Sequence, residues 1–127
     1  MKRVFKTRHF KRWMRKTELT DAVLCAAVLE MSQGLIDAEL GGGVVKKRIG
    51  VAGRGKRGGV RTLVATNKGS RWFFVFGFEK NDRTNISSDE LEALQSIATE
   101  LLALSSRELG QAVEDTTLEE ICHETND

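Results

Sequence analysis

The sequence predicts an α+β domain: two N-terminal helices packed on a three- to four-stranded, mainly antiparallel sheet, followed by a C-terminal helix. Three observations lead there. Apolar residues recur at helical spacing near both ends, they alternate through the middle, and Trp72-Phe73-Phe74-Val75-Phe76 is apolar on both faces. With 127 residues the chain has room for one compact core and little for two.

Val4 to Thr7 reads as a short first strand. Phe10, Trp13 and Met14 mark one face of a helix, with Lys11, Arg12, Arg15 and Lys16 solvated around it. Thr20 is the N-cap of a second helix that carries Val23, Ala26, Ala27 and Met31 and stops at Gly34. After Gly41-Gly42-Gly43 the period changes: Val45, Lys47, Ile49 and Val51 share one face of a strand, Lys46 and Arg48 the other. Residues 52–59, half of them glycine, read as a loop; Val60 to Thr66 is the next strand, Asn67-Lys68-Gly69 a turn, and Arg71 to Phe78 the covered central strand. Ser87 and Glu90 have capping-box spacing ahead of a stripe formed by Leu91, Leu94, Ile97, Ala98, Leu101 and Leu102. Ser105 and Glu108 repeat that spacing before a short helix over residues 107–113, and Thr117 and Glu120 repeat it ahead of Ile121. The last ten residues, acidic and weakly apolar, are expected to fray. Helices on one side of the sheet would leave its other face free for cations.

The net charge of +2 hides an asymmetry. Residues 1–83 hold 19 of the 20 Lys/Arg, whereas residues 84–127 hold 11 of the 18 Asp/Glu, so only the first part favours polyanions. The densest cationic stretch, VVKKRIGVAGRGKRGGVR from Val44 to Arg61, contains Lys46, Lys47, Arg48, Arg54, Lys56, Arg57 and Arg61 and no acid, a layout suited to a phosphate backbone. Lys2 to Lys16 is either a second RNA-contacting face or solubilising charge. The acidic residues Glu108, Glu114, Asp115, Glu119, Glu120 and Glu124 could fold back over the basic strip and moderate it. No signal-peptide pattern or membrane-length apolar run occurs, which points to the cytoplasm. Cys25 and Cys122 match no metal or redox spacing and are read as reduced thiols.

The strip contains no His, Tyr, Cys, Asp or Glu. Phosphoryl chemistry there would rest on cations that position RNA and stabilise developing negative charge, with a lysine among like charges as a proton shuttle. The glycine-rich segment lacks the spacing and the following helix of a P-loop or a dinucleotide fingerprint. His9 and His123, at opposite ends of the chain, read as ordinary surface histidines. Trp72, Phe74 and Phe76 read as core rather than as stacking platforms. No metal site and no small-molecule cofactor is indicated.

GGGVVKKRI, GRGKRGGVRTLVAT, RWFFVFGF with EKN after it, and NISSDELEAL together resemble the RelE/HigB branch of bacterial toxin–antitoxin toxins, in the RelE/ParE superfamily. The resemblance covers residues 3–104, so that 1–104 would be a RelE-like toxin domain and 105–127 an acidic C-terminal helical extension or tail. It implies a ribosome-dependent endoribonuclease (mRNA interferase) that cuts mRNA in the ribosomal A site and inhibits translation. In that chemistry the 2′-hydroxyl attacks the adjacent phosphate without a metal. Position by position, Arg48, Lys56, Arg61 and Lys80 take the catalytic places, Arg61 on the scissile phosphate, and Lys46, Lys47, Arg54 and Arg57 bind RNA. A cognate antitoxin, a small helix-turn-helix protein, would cover this surface. The chain departs from the family in having no tyrosine, with Ile86 and Ser87 where a proton-transfer Tyr or His is usual. Either Lys56 or Lys80 then takes that role, or the cut is slow or lost. The alternative is a non-catalytic protein of the same fold that binds the ribosome or RNA, or inhibits a DNA enzyme.

Overall fold

A computed structural model describes residues 2–51 and 55–123, the side chains of 55–58 excepted. The elements run β1 (Arg3–Thr7), α1 (Arg8–Met14), α2 (Asp21–Ser32), β2 (Ala38–Gly41), β3 (Val44–Val51), β4 (Gly55–Thr66), β5 (Arg71–Glu79), α3 (Ser88–Leu102), α4 (Ser106–Glu114) and β6 (Leu118–Ile121). The strands form a mixed sheet in the order β2-β3-β4-β5-β1-β6. β1 lies parallel to β5, and the other pairings are antiparallel.

The helix starts follow from their caps. Thr7, Thr20, Ser87 and Ser105 each accept a hydrogen bond from the backbone N–H three residues on. Ser87 with Glu90, and Ser105 with Glu108, close full capping boxes, so two N–H groups are satisfied at each start. Asn67 builds the β4–β5 turn by accepting from the N–H groups of Gly69 and Arg71.

β5 divides two cores. Trp72 and Phe74 pack with Phe10, Met14, Leu24, Val28 and Met31 of α1 and α2. Phe73, Val75 and Phe78 pack with Leu94, Ala98 and Leu109 of α3 and α4. Each such side chain, fully buried, contributes about 1.5–3 kcal/mol. The α+β class expected from the sequence is therefore correct, as is the covered central strand. The expectation of helices on one side is not: a strand apolar on both faces needs a cover on both, and α3 with α4 supplies the second.

Other details differ from the expectation of three or four strands. β2 was hidden because its four residues alternate weakly; the turn that leads from it into β3 needs Gly41, Gly42 and Gly43 at φ 83°, 62° and 82°. β4 begins at Gly55, inside the stretch read as loop. There Gly59 lies so close to β3 that a Cβ would stand 2.0 Å from the Ile49 carbonyl oxygen. The glycine serves close approach of two strands, not a turn.

Leu118–Ile121, within the stretch expected to fray and where a further capped helix start was expected, is a strand. β6 pairs with β1, matching Val4 to Ile121 and Thr7 to Leu118, and buries Leu118 and Ile121. Arg3 forks onto Glu120 at 2.9 Å, which holds that carboxyl below its ordinary range. Glu119 lies 3.4 Å from Lys6 and 3.2 Å from Lys11. Of the acids expected over the Val44–Arg61 strip, Glu119 and Glu120 thus meet N-terminal cations instead and Glu108 caps α4; Glu124 lies outside the described residues.

Cys25 and Cys122, expected as free thiols, form a disulfide that joins α2 to the residue after β6. Only the fold brings them together, since 97 positions separate them in sequence. A cross-link closing so long a loop restricts the unfolded chain and is worth on the order of 4 kcal/mol. Reductant should lower the melting temperature of the protein markedly, whereas a Cys25→Ser/Cys122→Ser variant should melt lower and ignore reductant. Equal melting of the native chain with and without reductant contradicts this.

Candidate nucleic-acid interface

The strand registers fix which cations share a face. Arg48 on β3 stands opposite Arg61 on β4, and Arg61 stands opposite Phe78 on β5. Directly paired residues project to the same side, so these three form one row across the sheet. The next row is Lys46, Leu63 and Phe76. Both rows lie on the α3 face, just past the part that Leu94 and Ala98 cover.

Two like charges side by side repel, and the row answers this unequally. Arg48, exposed, donates through Nε to Asp37 at 3.2 Å, while its backbone N–H donates to the same carboxylate at 2.6 Å. Arg61 is only 9% exposed, and its Nη1 is buried without a hydrogen-bond partner among the described residues. A buried guanidinium donor left unpaired costs on the order of 1–3 kcal/mol or more.

Arg83, just beyond β5, closes the far side. Its guanidinium lies 5.4 Å from the Phe76 ring centroid and 5.5 Å from that of Phe78. It also forks onto Glu90 at 2.8 and 2.7 Å. Glu90 accepts from the Ser87 N–H as well, so one carboxylate both caps α3 and anchors Arg83. The Arg83 hydrogen bonds, helped by Ser87, pull the Glu90 pKa down to about 2.

The site residues expected from the sequence divide accordingly. Arg48, Arg61 and Lys46 come together on one face. Lys80 is exposed in the turn after β5. Lys47 does not belong: it points to the opposite face, 3% exposed, bonded to Glu30 at 2.8 Å and to the Leu35 carbonyl at 2.9 Å. The strand period requires this, because Lys47 alternates with Lys46 and Arg48. Arg54 lies outside the described residues, as do the side chains of Lys56 and Arg57.

Trp72 and Phe74 are core, as expected, but Phe76 is half-buried beside the arginine row. Phe78, Arg83 and His9 were missed as neighbours of the strip. Arg83 sits in a polar run that reads as a plain turn, and its partner Glu90 already had a role in the capping box. Among the described residues no cluster of three or more His, Cys, Asp or Glu could hold a metal ion.

A family model for the RelE toxin of the RelE/RelB toxin–antitoxin system matches residues 2–121. The match extends through α4 and β6, beyond residue 104 where the sequence resemblance ends. No curated protein matches the chain.

The Glu90 carboxylate predicts a pH dependence. Because its folded pKa lies below the ordinary 4.5, its contribution to stability is complete above that value and is lost as pH falls toward about 2. Thermal unfolding between pH 6 and pH 2 should therefore show a smaller acid-induced drop in Glu90→Gln than in the native chain. Parallel pH curves for the two would remove the Arg83–Glu90 anchor from the account.

Proposed function

The chain belongs to the RelE family of toxins of toxin–antitoxin systems, and from that premise we propose that it is a ribosome-dependent mRNA endoribonuclease acting in the cytoplasm. The family implies a cognate antitoxin as partner; the reading adds that this is a small helix-turn-helix protein and that the RNA is mRNA in the ribosomal A site. The observation that carries the reading is Arg61: a guanidinium almost out of water, with one nitrogen unpartnered among the described residues and a second arginine beside it.

In the proposed reaction the 2′-oxygen attacks the adjacent phosphorus while the bond from phosphorus to the 5′-oxygen breaks. The products are a 2′,3′-cyclic phosphate and a 5′-hydroxyl. Arg61 and Arg48 bind the phosphate and stabilise the charge that grows on its oxygens in the transition state, where preorganised donors have most effect. One proton leaves the 2′-hydroxyl and one reaches the 5′-oxygen. With no tyrosine in the chain, Lys56 and Lys80 are assigned these transfers. Lys46, Arg54 and Arg57 hold the flanking backbone. Lys47, committed behind the sheet to Glu30, takes no part.

Arg61 separates stability from function. Replacing a buried unpaired charge by an apolar side chain of similar length is often neutral or stabilising. Arg61→Met should therefore melt no lower than the native chain, yet cut mRNA on translating ribosomes at least ~100-fold more slowly. Undiminished cleavage by the variant would exclude Arg61 from the site. Translational arrest by the native chain with no cut in the RNA would instead make it a non-catalytic binder of the same fold.

A further inference from the structure

The disulfide that ties β6 to α2 is not sealed in the core. Cys25 and Cys122 are both half-buried, and both line a cleft of about 400 Å³. That volume suits a small ligand, for which pockets of roughly 300–1,000 Å³ are usual. Val4, Val28 and Leu29 give the cleft an apolar wall. Its other side chains are Lys2 and His123, and among the described residues no carboxylate lines it. Val4 and Val28 belong to the core on the α1–α2 side of the sheet, and the cleft shares no residue with the arginine row.

The bridge holds a defined piece of structure. Cys122 has φ 61°, a left-handed conformation that a residue with a Cβ adopts at a cost. Just before it, Ile121 pairs with Val4 at the end of the β6–β1 register. Without the bridge, that end of β6 keeps only its backbone pairing, the burial of Ile121 and the ion pairs of Glu119 and Glu120. Those ion pairs are partly exposed, and such pairs hold weakly.

We propose that this cleft is a thiol-exchange site, at which a small carboxylate-bearing thiol, drawn by Lys2, opens the Cys25–Cys122 bond and releases β6 from α2. Disulfides that reach solvent are the ones open to such exchange. The incoming thiolate sulfur bonds to one cysteine sulfur, and the bond between the cysteines breaks. The other cysteine leaves as a thiolate and takes a proton from water. A second molecule of the thiol then displaces the first. The bridge ends as a dithiol, and the small thiol ends oxidised to its own disulfide. In the cytoplasm proposed above, small thiols keep cysteines reduced, so the β6 tether becomes conditional there. The exchange itself does not rest on the RNA-binding reading and stands or falls separately.

The test follows opening of the bridge in the full chain, by alkylation and mass spectrometry. The thiols are mercaptoacetate, its neutral amide and cysteamine, each rate being taken relative to that thiol's rate on an uncharged small disulfide. Mercaptoacetate should react about threefold faster than the amide, as one exposed charge pair allows, and cysteamine should be slowest. Lys2→Gln should abolish that order, whereas Lys16→Gln, outside the cleft, should keep it. Rates indifferent to thiol charge, or an order unchanged in Lys2→Gln, overturn the site. So does a full chain whose two cysteines alkylate without any reductant. Hydrogen exchange reads the consequence. The amides of Leu118–Ile121 should exchange at least ~10-fold faster in the reduced chain and in Cys25→Ser/Cys122→Ser, while β4 and β5 stay protected. Equal protection of β6 in both redox states overturns its release.

Discussion

The sheet keeps the charge of Arg61 nearly out of water beside another arginine, and much of the structure follows from that constraint. Such a position is unfavourable for the free protein and must be sustained by stability gained elsewhere. β5 supplies it. Three consecutive aromatics, Trp72, Phe73 and Phe74, are fully buried on alternating sides, so two helical layers are tied to one strand. The same strand then runs past the edge of β1, where the half-buried Phe76 pairs with Leu63 and the buried Phe78 with Arg61. Core and interface are successive parts of one element.

The charge asymmetry of the sequence acquires a physical meaning in the fold. Of the C-terminal acids, Glu119 and Glu120 bind Lys6, Lys11 and Arg3, and so fasten β6 to the N-terminus. Lys46, Arg48 and Arg61 stand apart from these pairs on the α3 face of the sheet, Arg48 being held by Asp37. The disulfide between Cys25 and Cys122 fastens the same strand to α2. A short edge strand of four residues thus has three separate attachments, suited to a strand too short to hold by backbone pairing alone.

Much of this was legible in the sequence, for identifiable reasons. Helix starts were readable because a capping box is local, and Ser87 with Glu90 needs only four residues to declare itself. The alternation of Lys46, Lys47 and Arg48 already assigned the cations to faces, which is why Lys47 had to leave the cluster. What could not be read depends on distant pairing. β6 is four residues whose partner is at the other end of the chain, the disulfide spans 97 positions, and the second helical layer is implied only by an apolar strand. His9 and Arg83 were invisible as site neighbours for the same reason: α1 and the turn after β5 converge on Phe76 only once β1 lies parallel to β5.

The central claim is that Arg61 waits for a phosphate. Its guanidinium signals, followed by arginine side-chain NMR while a non-cleavable 2′-O-methyl RNA is added, test this most directly. The account predicts large shifts at Arg61 and Arg48 and none at the Lys47 ammonium held by Glu30. Unmoved Arg61 signals, with the RNA instead perturbing Lys11, Arg12 or Arg15 of the N-terminal segment, would contradict it.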